Sequence, residues 1–128
     1  MKAALLVPLL VLAGCAAPGA TGGQSDAAEL ADAVKGRTAG TPQRCINASN
    51  LEAPRIIGET LVYRQGGRLW TTRAEDGCPS LAGDPLLIVE VYGSNLCRND
   101  RFRTVPRGAS IPGPYCRFGD FVPHTRAK

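Results

Sequence analysis

Thr60-Leu61-Val62-Tyr63-Arg64-Gln65-Gly66-Gly67-Arg68-Leu69-Trp70-Thr71-Thr72-Arg73 carries the plainest fold information in this 128-residue chain. Two runs of β-branched and aromatic residues flank a glycine pair. A tight hairpin turn needs φ > 0 at its central positions, which glycine adopts without a Cβ clash, so the stretch predicts an antiparallel hairpin. A two-residue loop sets Tyr63 opposite Trp70 and Arg64 opposite Leu69. A three-residue loop would oppose Arg64 to Arg68, and like charges directly across a ladder repel. The two-residue register is therefore expected. Tyr63 and Trp70 then share one face, and they read as core packing in preference to an exposed pair for sugar stacking.

The pattern stays β on both sides of the hairpin. Downstream, Leu86-Leu87-Ile88-Val89-Glu90-Val91-Tyr92 is short and rich in β-formers, which argues strand over helix, and it ends at Gly93-Ser94-Asn95. Phe102-Arg103-Thr104-Val105 alternates and then breaks at Pro106 and Gly108. Tyr115-Cys116-Arg117-Phe118 and Phe121-Val122 form a last strand or pair, with Cys45-Ile46 and Arg55-Ile56-Ile57 at the other end. The expected fold is all-β, a small disulfide-linked barrel or sandwich of five to seven short strands. It should occupy residues 44–124, with a short tail over 125–128. Barrel closure would also remove exposed strand edges.

Upstream the composition changes. Residues 15–43 are rich in Ala, Gly, Thr and Ser, which bury too little apolar surface to offset chain entropy, and they read as a flexible tether. Within it, residues 25–36 have the grammar of a short helix: Ser25 to cap, early acidic residues, Lys35 in the last turn and Gly36 to stop it. Such a helix alone is marginal in water.

Residues 1–14 read as a lipoprotein signal peptide. Lys2 precedes an apolar run that is too short to cross a hydrocarbon core, which takes about 20 residues. The run ends in Leu12-Ala13-Gly14-Cys15, a lipobox, which marks Cys15 for lipid attachment (palmitate among the acyl chains) and the bond before it for cleavage. An ordinary signal peptide would end in a small-x-small site with no cysteine at the cut. The cysteine count agrees. Of five, Cys15 takes lipid and Cys45, Cys78, Cys97 and Cys116 remain, an even set for two disulfides in an oxidising compartment. Several acyl chains hold a protein at a membrane far better than one. Ala16, where Asp would favour inner-membrane retention, points to the outer membrane, with the domain facing the periplasm. Four cysteines allow three pairings. If a barrel closes, its first and last strands meet, which favours Cys45–Cys116 with Cys78–Cys97 over the sequential pairing.

Cys78-Pro79-Ser80-Leu81, Leu96-Cys97-Arg98-Asn99-Asp100 and Cys116-Arg117-Phe118-Gly119-Asp120-Phe121, together with Cys45-Ile46 and the hairpin, give a spacing that resembles a four-cysteine family. Its members are small proteobacterial envelope lipoproteins without an assigned function. The resemblance covers roughly residues 44–123. It implies one disulfide-linked β domain and carries over no catalytic residue.

Few residues offer chemistry. His124 is the only histidine, and its place after Pro123 near the end of the chain reads as a solvated terminus and not a member of a nucleophilic triad. The four domain cysteines contain no Cys-x-x-Cys pair, which disfavours a zinc or redox site. Asp100 reads as a turn residue accepting backbone N–H bonds ahead of the next strand, in preference to a functional carboxylate. No cofactor, no metal and no catalytic residue is expected. The chain carries 15 Lys+Arg against 11 Asp+Glu, with Arg98, Arg101, Arg103, Arg107 and Arg117 crowded toward the C-terminus. On a shared face these guanidiniums could grip phosphates or carboxylates bidentately.

The expected role is that of a non-enzymatic, lipid-anchored module of the cell envelope, binding or structural, presenting its β domain to another envelope protein. The alternative is a receptor for an acidic glycan or lipid, such as lipopolysaccharide or cell wall, through the arginine-rich face. Nucleic acid is not an expected partner outside the cytoplasm.

Overall fold

The structure, a computed structural model, describes residues 21–128. The expected leader and the lipidation site at Cys15 lie outside the described residues. Helix α1 (Thr21–Ala33) is followed by strands β1 (Arg37–Ala39), β2 (Cys45–Asn47), β3 (Arg55–Ile57), β4 (Thr60–Gln65) and β5 (Arg68–Arg73). A 3-10 turn (Pro79–Leu81) leads to β6 (Leu86–Val89), β7 (Asn95–Cys97), β8 (Arg101–Val105), β9 (Cys116–Arg117) and β10 (Val122–Arg126).

The hairpin forms as its sequence requires. β4 pairs antiparallel with β5 across a two-residue turn, with Tyr63 opposite Trp70 and Arg64 opposite Leu69. Gly66 sits at φ 57°, whereas Gly67 does not have a positive φ, so only one of the two turn positions takes the conformation expected of both. Tyr63 and Trp70 are both buried. The alternation expected of a half-solvated strand is lost in β4, where Thr60, Leu61, Val62 and Tyr63 are all buried. Both faces of the hairpin are covered. On one, Leu61, Tyr63 and Trp70 join Phe102, Phe118, Phe121, Ile46, Leu81 and Leu96 in the main core. On the other, Val62 and Leu69 pack with Ile57 under Leu30 and Ala33 of α1. The helix is thus held by an apolar stripe that its own length would not stabilise, and Gly36 at φ 72° follows it. It runs from Thr21 to Ala33 and not over 25–36, so Ser25 lies inside it and not at its cap, its first turn holds no acid, and Lys35 falls beyond its last turn.

β4 and β5 are the centre of a five-stranded sheet in the order β1-β10-β5-β4-β3. The other strands form a two-stranded sheet, β2-β7, and a three-stranded sheet, β6-β8-β9. All pairs are antiparallel. The domain is all-β and disulfide-linked, but it has ten strands among the described residues, not five to seven, and no barrel closes. β1 and β3 end the large sheet without pairing to each other. The three sheets instead meet around one core, in which Phe118 stacks obliquely with Tyr63, Phe102 and Phe121 at centroid distances of 6.3, 4.6 and 5.7 Å.

Three expectations are corrected by this topology. The paired structure starts before residue 44 and runs past 124, because β10 adds to the open edge of β5 and β1 adds to β10. His124 is consequently a strand residue opposite Ala39 and Leu69, not a solvated terminus. The disulfides are Cys45–Cys97 and Cys78–Cys116, neither the closure pairing nor the sequential one. Cys45 and Cys97 face each other directly in the β2-β7 ladder, whereas Cys116 lies on β9 and reaches Cys78 at the entrance of the 3-10 turn, at a Cα–Cα distance of 5.9 Å. β2, which carries Cys45, and β9, which carries Cys116, belong to different sheets.

Candidate functional site

The three-stranded sheet has one face in the core and one in solvent. In β8, Phe102 and Thr104 are buried, while Arg101, Arg103 and Val105 take the alternate positions. Period-two alternation puts those three on the outer face. The register places Leu86 opposite Val105 and Ile88 opposite Arg103, and the N–H of Glu90 donates to the carbonyl of Arg101. Leu86 and Ile88 are 52% and 44% exposed. Their neighbours Leu87 and Val89 turn inward onto the core. The near-continuous apolar run that marks this strand in the sequence therefore serves two surfaces.

Beyond Ile88 the outer face becomes aromatic and charged, and Glu90 organises it. Tyr92 donates its hydroxyl to Oε2 of Glu90 at 2.9 Å and Tyr115 donates to Oε1 at 3.2 Å. Arg101 completes the carboxylate's partners at 3.0 Å. The Tyr92 hydrogen bond leads the effects that hold Glu90 below the ordinary carboxylate range; desolvation, the next largest, opposes it, and Tyr115 and Arg101 add to the lowering. Arg101 is held above its ordinary value, chiefly by its bond to the Tyr92 hydroxyl and then by the charge of Glu90. The guanidiniums of Arg101 and Arg103 stand 4.6 and 4.7 Å from the Tyr115 ring centre. Arg103 also donates to the carbonyls of Gly113 and Pro112. Tyr92 and Tyr115 nevertheless stay 64% and 48% exposed, so the cluster is hydrogen-bonded and open at once.

The five arginines singled out in the sequence do not share one face. Arg101 and Arg103 belong to this cluster, and Arg117, directly opposite Arg101 in the β8-β9 ladder, lies on the same outer face. Arg98 bonds to Glu75 and Asp120, which raise its pKa, Glu75 foremost. Arg107 pairs with Asp84 at 3.0 Å and Arg117 with Asp76 at 2.8 Å. Four of the five thus have a carboxylate partner, and Arg103 is occupied by carbonyls and a ring. A bound anion would have to compete with each of these. Glu90, Tyr92 and Tyr115 were not marked by motif or spacing. The one available signal was Glu90 as the only charge inside an apolar run.

Two other candidates resolve differently. Asp100 accepts a hydrogen bond from the N–H of Cys97 at 2.7 Å, and its own N–H donates to the Cys97 carbonyl. It is the turn residue its sequence predicts, with Asn99 at φ 71°. His124 places Nε2 2.9 Å from the Thr71 hydroxyl. Burial first, and the charge of Arg37 second, hold its pKa below the ordinary value. Among the described residues no carboxylate bonds to its ring, so the third member that orients a catalytic imidazole is not supplied there. The described residues contain no group of three His, Cys, Asp or Glu side chains placed to hold a metal ion.

No protein-family model, curated protein or solved structure matches the chain.

Proposed function

We propose that this chain is a lipid-anchored lipoprotein of the bacterial envelope and that its β domain is a binding module for another envelope protein. The anchor reading rests on the lipobox at Cys15. It places the domain on the periplasmic side of the outer membrane, at the end of a short tether. The binding surface is the outer face of the β6-β8-β9 sheet. The observation that carries it is the exposure of Leu86, Ile88, Tyr92 and Tyr115 on and beside one small sheet. Contiguous exposed apolar and aromatic groups around fixed polar ones are the composition of protein interfaces, where Tyr and Arg supply anchors.

The test is a photo-crosslinking amino acid placed in the full chain, in cells, at Ile88 or Tyr92, with Gly67 at the hairpin tip as the control position. The expected result is a discrete adduct with another envelope protein from both face positions, lost on Leu86→Glu and missing from Gly67. Equal labelling from all three positions would refute the assignment of this face. For the anchor, Cys15→Ala should leave the protein unlipidated, retained as precursor or released. A processed variant still fractionating with membranes would show that the anchor lies elsewhere. The alternative, an acidic glycan or lipid ligand, has little support from the arginines, which already have partners. It predicts binding that falls steeply between low and physiological ionic strength.

A further inference from the structure

The β6-β8-β9 sheet has an unpaired edge as well as an open face, and the edge carries an inference of its own. β6 pairs only with β8. Because Glu90 donates to Arg101 across that ladder, antiparallel alternation makes Ile88 and Leu86 the other residues bonded to β8 and turns the backbone N–H and C=O of Leu87 and Val89 away from it. The opposite side of β8 agrees: the Thr104 carbonyl, opposite Leu87, accepts from Gly113 on the side away from β6. Among the described residues, no side chain or loop backbone bonds to Leu87 or Val89 at the free edge.

Exposed edges are normally blunted by charge, proline, a bulge or a covering element. The ends of the large sheet follow that rule. β1 begins with Arg37, and β3 begins with Arg55 and lies against α1. β6 is Leu-Leu-Ile-Val, with none of these devices within the strand. It is an edge left ready for another strand.

We propose that β6 pairs antiparallel with β6 of a second copy of this chain, joining two three-stranded sheets into one of six strands about a two-fold axis at Ile88. Pro85 selects the register. Centring the pair on Leu87 would set Val89 opposite Pro85, which has no N–H to donate. Centring on Ile88 sets Leu87 against Val89 of the other copy in both halves, so all four outward N–H groups donate to outward carbonyls. Ile88 then meets its own counterpart on the outer face as a close, non-hydrogen-bonded apolar pair. The dimer goes beyond the binding reading above and does not depend on it. It places two copies of the outer face side by side.

The register makes a sharp test. In the full chain in its native membrane, Ile88→Cys should form an intermolecular disulfide when treated with copper phenanthroline, because closely opposed residues lie within bridging distance. Leu86→Cys is equally exposed, but its two copies are separated by four residues of strand, roughly 13 Å, and should link about tenfold less. The unsubstituted chain, with Cys15 and the four bridged cysteines, sets the background. An amine-reactive crosslinker should give a dimer of the unsubstituted chain that Ile88→Lys abolishes, with both native disulfides of that variant intact by peptide mapping. Preferential linking at position 88 together with loss in Ile88→Lys supports the dimer. Equal linking at 86 and 88, preferential linking at 86, no linking at either, or a mixed disulfide with a different protein overturns it. Because that readout is a dimer of this chain alone, it is separate from the heterologous adduct expected of the open face.

Discussion

Removal of the Cys78–Cys116 bridge by Cys78→Ala with Cys116→Ala is expected to destabilise the domain by about 4 kcal/mol. The bridge closes a sequence separation of 38 residues, and the chain-entropy relation puts the cost of reopening such a loop near 4 kcal/mol at 25 °C. Cys78 adds to this, since it is 1% exposed and belongs to the main core, where truncation leaves a small void. The Cys45–Cys97 bridge spans 52 residues and predicts a similar loop term, also about 4 kcal/mol. Its ends differ, however: Cys45 is exposed and Cys97 half-buried, so Cys45→Ala with Cys97→Ala lacks the packing loss. The two double variants should therefore rank with the Cys78–Cys116 deletion the more severe. Domains of this size have about 5–15 kcal/mol in total, so either variant keeps only part of its stability and both together should not fold. Urea unfolding of the oxidised chain, with and without each pair, measures the differences, and non-reducing peptide mapping fixes the connectivity. A loss below about 1 kcal/mol for the Cys78–Cys116 pair would refute the loop-entropy argument. A Cys45-containing peptide linked to Cys116 would refute the topology itself.

Other outcomes follow from single residues. Tyr63 has a buried hydroxyl without a partner among the described residues, and burial pushes its pKa up, so Tyr63→Phe should stabilise the domain by about 1 kcal/mol, read from the urea midpoint. A loss of stability would mean that the hydroxyl is satisfied. Asp100→Ala removes the charged acceptor of the Cys97 N–H and should cost about 1–2 kcal/mol in the same assay, whereas an unchanged midpoint would dismiss the turn role. The pKa of His124 is lowered in the fold, so as pH falls through the ordinary value near 6.5 the unfolded chain takes up a proton first. Stability should be full above that pH and decline below it until the folded pKa is passed, and His124→Gln should flatten that segment of a stability–pH profile. A profile identical in both proteins would rule out His124 as its source. Glu90→Gln should weaken the hold on Tyr92 and Tyr115, seen as faster ring motion by NMR, while the melting temperature changes little because the cluster is exposed.

The residues that sequence reading handled well are those whose structure is set within a few positions. The Gly66-Gly67 turn and the repulsion between Arg64 and Arg68 make the hairpin register a local matter. The same holds for Asp100, which bonds three residues back, and for Gly36 after the helix, although the helix itself starts at Thr21, ahead of the cap expected at Ser25. The β class, with two disulfides among the four domain cysteines, follows from strand-length apolar runs and an even count of thiols. What lay outside local reach was every partner chosen across the chain. Cys45 meets Cys97 because β2 pairs with β7, and His124 is a strand residue because β5 had an open edge. Arg98, Arg107 and Arg117 are neutralised by Glu75, Asp84 and Asp76, acids that no spacing connects to them. Tyr115 joins Glu90 from 25 residues away. Such pairings depend on which sheet edges meet and which faces share a core, and they exist only once the whole chain has packed.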